Sequence, residues 1–156
     1  MLLVILLVVL LALTGVGVLS LWIKRAAAST RRIDAPDSQL QMSFYGGVMS
    51  RHVITSGSLA VLEFFDWGVR VRGNPVARWI VPTWEARYDE LAKAGLASLP
   101  HSRVAVWLQL KDRPAKSPAI GFLCDRYTQV LPVLESRGVQ VDRSVTKARR
   151  VEELYQ

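Results

Sequence analysis

Apolar positions along this chain fall into three regimes. Residues 1–23 (MLLVILLVVLLALTGVGVLSLWI) are apolar with no charge, their polar side chains being Thr14 and Ser20. At 1.5 Å per residue the run predicts a helix of roughly 30 Å, the thickness of a bilayer's hydrocarbon core. Residues 24–41 are small, polar and Pro-containing, which predicts a tether. From Met42 apolar residues recur with period two. Residues 58–65 (SLAVLEFF) and 68–73 (GVRVRG) flank the turn Asp66-Trp67-Gly68 and predict a hairpin. On its second strand Val69 and Val71 face one way, Arg70 and Arg72 the other.

Further strands are predicted over residues 76–81 (VARWIV), 104–110 (VAVWLQL) and 119–124 (AIGFLC). Two readings compete for residues 84–98. Trp84, Tyr88, Leu91 and Gly95 recur at helical spacing, whereas Trp84, Ala86 and Tyr88 alternate with Glu85, Arg87 and Asp89 as in a strand. A helix is expected over about residues 126–137, capped by Asp125 and ended by Gly138, with Pro132 kinking it or moving its start to Thr128. Residues 141–156 read as a basic tail, a frayed surface helix.

Strands in series closed by one helix make an α+β pattern. The order LAVLEFFDWGVRVRG, then RWIVPTWEARYDEL, further strands and LPVLESRG resembles bacterial pleckstrin-homology-like domains of the PH/GRAM superfold, over about residues 55–140. The resemblance implies a small bent antiparallel sheet or barrel over residues 42–140, plugged by the C-terminal helix, with part of the Trp84 region in the sheet. The expected whole is one N-terminal transmembrane helix followed by that domain.

Charge adds a topology. Of 20 Lys plus Arg against 13 Asp plus Glu, Lys24, Arg25, Arg31 and Arg32 follow the apolar run at once. Trp22 stands where an indole anchors at the interface, and the cations behind it place the domain on the cytoplasmic side of the cell membrane. A cleaved signal peptide competes, because Ala26-Ala27-Ala28-Ser29 suits a peptidase. The missing basic n-region and the length of the apolar run favour the anchor.

Candidate chemistry is sparse. His52, His101 and Cys124 are single, with no spacing suited to a metal, and Cys124 sits in an apolar run as a strand thiol. There is no GxSxG, no GxGxxG and no P-loop; Ser56 is a turn serine and Gly46-Gly47 an isolated pair. Glu85, Asp89 and Glu90 read as a solvated face partnering Arg87 and Lys93. No reaction, cofactor or small-molecule substrate is expected. Arg70, Arg72 and Arg78, with Trp79, form the one basic and aromatic patch. Nucleic acid is disfavoured as its partner by the anchor and by a surplus of only +3 over residues 33–156, 16 basic against 13 acidic.

The expected function is a non-enzymatic binding or scaffolding module. It would take a protein partner at an exposed sheet edge or in the groove beside the terminal helix. The alternative is a domain binding anionic headgroups through Arg70, Arg72 and Arg78. In the resembled superfold such basics crowd the loop between the first two strands, and the Asp-Trp-Gly turn has none.

Overall fold

A computed structural model of the chain describes residues 7, 9, 12–21, 24, 30–33, 39–50, 54–99, 103–112 and 119–147. Residues 12–21 are helical (α1). The strands are β1 (Met42–Met49), β2 (Ala60–Phe64), β3 (Gly68–Gly73), β4 (Trp84–Arg87), β5 (Leu91–Leu99), β6 (Arg103–Leu110), β7 (Ala119–Leu123) and β8 (Val141–Lys147), with α2 (Tyr127–Ser136) before β8. They form one sheet in the order β4-β3-β2-β1-β7-β6-β5-β8.

A hairpin (β2–β3), a strand in the Trp84 segment (β4), further strands and then a helix follow the order the resemblance implies. β1 joins the two halves. Its residues 42–46 pair with β2, and Gly47, Val48 and Met49 pair with Leu123, Phe122 and Gly121 of β7. The Gly46-Gly47 pair makes the transfer possible. A Cβ on Gly46 would lie 2.0 Å from the Leu123 carbonyl oxygen, and one on Gly47 2.4 Å from that of Thr55. No side chain fits at this crossing.

The core lies between the two halves and under α2. Trp84, Phe64, Phe122, Leu62, Leu108 and Ile120 are fully buried there, and α2 adds Val130, Leu131 and Leu134. Burying each such large side chain contributes roughly 1.5–3 kcal/mol.

Four expectations are corrected. The sheet is mixed, because β8 runs parallel to β5. β7 already runs the same way as β5, through β6, and α2 returns the chain so that the next strand repeats β7's direction. Residues 141–147, read as a frayed helix, are therefore a strand. Second, among the described residues no helix is long and apolar enough to cross a membrane. The stretch described without a break, residues 12–21, covers about 15 Å of helix. The rest of the expected span, apart from helical Leu7 and Val9, lies outside the described residues. Third, residues 76–81 form turns. The Asn74 side-chain oxygen accepts the amides of Val76 and Ala77, and the Ala77 carbonyl accepts those of Ile80 and Val81, so the backbone closes on itself. Fourth, α2 starts at Tyr127 behind Arg126 with no side-chain cap, and Pro132 stays inside it.

Residues 84–98 resolve as the strand reading. β4 and β5 are separated by a single 3-10 turn, Tyr88–Glu90.

Candidate functional site

The cations marked from sequence divide into two groups. Arg70 and Arg72 lie on the outer face of β3, where strand register sets Arg70 directly between Glu63 of β2 and Glu85 of β4. Arg70 Nε donates to Glu85 Oε1 at 2.7 Å, and its Nη1 lies 4.0 Å from Glu63 Oε2. Arg72 grips Glu63 with both arms of its fork, at 2.6 and 2.9 Å. That hydrogen-bonded pair raises the Arg72 pKa above its ordinary value, against a smaller cost of burial. Both carboxylates are buried, and Glu85 also accepts the Ile33 amide at 3.0 Å. Arg31 lies alongside β4, accepting the Glu85 amide and donating its own to the Thr83 carbonyl. Its guanidinium binds Glu90 at 2.7 Å and the Glu85 carbonyl. Burial opposes ionisation of Glu90, yet bonds from the Arg87 amide and Arg31 hold its carboxyl below the usual range.

The expected partners of these acids are corrected in part. Glu85 serves Arg70, Glu90 serves Arg31 and also accepts the Arg87 amide, while Lys93 pairs with Asp142 of β8 at 2.7 Å. Charge-assisted bonds of this kind are strong when the carboxylate is desolvated. A headgroup phosphate at Arg70 or Arg72 would share a guanidinium that a buried carboxylate already neutralises. Of the other marked residues, Lys24 and Arg32 are exposed, and Trp22 and Arg25 lie outside the described residues.

Arg78 is different. It sits in the β3–β4 connection with its guanidinium 4.9 Å above the Trp79 ring. Trp79 is 63% exposed and Val76, three residues earlier, 83%. Beside them lies the β1–β2 connection with exposed Ile54 and Leu59. The sequence folds these two loops together through Asn74. Its amide donates to the Leu59 carbonyl and its side-chain nitrogen to the Ser58 carbonyl, both at 2.9 Å. Thr55 pins the first loop to β1: the Thr55 amide donates to the Val48 carbonyl, and the Val48 amide to Thr55 Oγ1. One end of the domain therefore presents Ile54, Leu59, Val76 and Trp79 on a backbone that is locally tied down.

Neither loop segment, residues 54–59 (ITSGSL) or 74–80 (NPVARWI), contains an acidic residue. Arg78 is the only charge in them. α1 stands against this end, with Gly15, Val18 and Leu19 facing Ile54, Leu59 and Ile80 across a groove.

No family model matches the chain, and no curated protein does. Among solved structures it is similar to the Vps36 N-terminal PH domain, at 12% identity and a TM-score of 0.44, over 70% of this chain and 83% of that one. The fold is PH-like. That description rests on the chain's own strand order and its closing helix.

In this PH-like domain the sheet edges differ from the simple open ones expected, and β8 is the exposed edge at one side. The outer edge of β4 carries the Arg31 bridge, and the edge of β5 beside α2 is filled by β8. β8 pairs irregularly, its register shifting across Arg143 and Ser144, which blunts an edge against further strands. Ile54, Leu59 and Val76 escaped the sequence reading. The signal was present, since Thr-Ser-Gly-Ser and Asn-Pro mark loops and apolar residues at loop tips are unpartnered.

Proposed function

We propose that this chain is a non-catalytic binding module that docks on a membrane surface through the end formed by residues 54–59 and 74–80. The observation that carries the reading is that end itself: exposed Ile54, Leu59, Val76 and Trp79, with one cation and no acid, continuous with the apolar face of α1. A soluble protein rarely leaves such a contiguous patch open without a use for it. An indole beside a guanidinium suits the headgroup layer, where apolar body and charged tip are both satisfied. Lys24 and Arg32, exposed after the apolar run, support an anionic membrane surface as the partner.

The internal pairing of Arg70 and Arg72 favours this end over the sheet face as the lipid contact. The test is modification of single cysteines, introduced with Cys124→Ser, by a water-soluble maleimide, in the full chain reconstituted into phosphatidylcholine vesicles with and without phosphatidylserine. Val76→Cys is expected to react slowly and Gln129→Cys, on the exposed side of α2, quickly. Equal rates would contradict the reading.

A further inference from the structure

The groove between α1 and the docking end has a volume of about 780 Å³. We propose that it seats one acyl chain of a membrane lipid. The proposal rests on the membrane-docking reading and adds to it a defined site.

Three observations select this occupant. First, the walls are hydrocarbon: Val18 and Leu19 on one side, Ile54, Leu59 and Ile80 on the other. Among the described residues that line it, Thr14, Thr55 and Ser56 are polar and none is charged. A free acid, a phosphate or a charged peptide finds no counter-ion among them. An alkyl chain needs none.

Second, the size is that of a small-ligand site, within the roughly 300–1,000 Å³ usual for them.

Third, α1 presents a gap where the chain would lie. A Cβ added to Gly15 meets nothing within 4 Å, and Gly15 lines the groove. The same is true of space around Gly17, which does not line it. The two glycines therefore separate occupancy of the groove from any general effect on the helix. Leu in place of Gly15 takes up room in the groove, whereas Leu in place of Gly17 stands at a position that does not line it.

The experiment uses the full chain in vesicles containing a phosphatidylcholine with a diazirine on its acyl chain. After irradiation, adducts are mapped by mass spectrometry of peptides covering residues 54–59 and 80. The expected result is labelling of those peptides, lowered about tenfold by Gly15→Leu, as when a pocket loses room for several methylenes. Gly17→Leu is expected to leave it unchanged. Labelling that Gly15→Leu does not lower would overturn the proposal. Absence of adducts while Val76→Cys stays protected from maleimide would remove the acyl site alone. Absence of adducts with Val76→Cys freely reactive would remove the docking reading as well.

Discussion

Two arginines in this molecule lie over aromatic rings at the same 4.9 Å, Arg70 over Phe65 and Arg78 over Trp79. Their surroundings make them opposites. Arg70 stands in a cross-strand ladder, Glu63–Arg70–Glu85, whose carboxylates are buried and need it. Arg78 stands on a loop with no acid near it in sequence, beside an indole that is mostly in solvent. A cation with a buried counter-ion is a structural part; a cation without one, beside exposed apolar surface, is available to a partner. The contrast turns on the partners available to each side chain.

The contrast is broken most severely at the ladder. Glu85→Ala leaves Arg70 without its 2.7 Å partner and the Ile33 amide without an acceptor. Because the Arg70 side chain keeps some solvent, the expected loss is roughly 2–4 kcal/mol, below that for a fully buried pair. Chemical denaturation of the purified chain reads it. The same measurement on Asn74→Ala is expected to show about 1–2 kcal/mol, the worth of a lost cap and its bonds to Ser58 and Leu59. That variant should also raise maleimide reactivity at residue 76, because the two loops are no longer tied together.

At the docking end the effects shift from stability to contact. Arg78→Ala is expected to weaken the dependence of Val76→Cys protection on phosphatidylserine by about fivefold, near 1 kcal/mol for one cation at an anionic surface. Trp79→Ser should change stability by less than about 0.5 kcal/mol, since the ring is exposed. A large stability loss there would mean the indole is a core group.

The smallest effect concerns acid. Glu90 has its folded-state pKa lowered from an ordinary 4.5 by the Arg87 amide and Arg31, despite burial. A depressed carboxylate pKa contributes stability that is complete above that ordinary value and lost as pH falls through the folded one. A pH series below about 4.5 should therefore show a shallower loss in Glu90→Gln than in the parent chain.

Much of the sheet was legible in the sequence because its strands alternate cleanly. GVRVRG and VAVWLQL became β3 and β6 within a residue of the expected bounds. Where side-chain pattern and backbone chemistry disagreed, pattern misled. VARWIV alternates like a strand, but Asn74-Pro75 before it commits the backbone to turns. VDRSVTK looked like a solvated tail because a strand at a sheet's edge needs little apolar content; Val141 alone packs on the core. At the candidate site, Arg78 and Trp79 of the basic and aromatic patch lie together, the guanidinium over the ring. Arg70 and Arg72 were grouped with them because alternation shows which face a residue shares, and cannot show that Glu63 and Glu85 arrive opposite on neighbouring strands.

The most direct test of the central claim is depth. A bimane label placed singly at Val76→Cys and at Gln129→Cys, in the full chain reconstituted into vesicles, would be exposed to lipids carrying a spin label near the headgroup. Strong quenching at residue 76 with little at residue 129 is the predicted result. Equal quenching at the two positions, or none at residue 76, would contradict docking through this end.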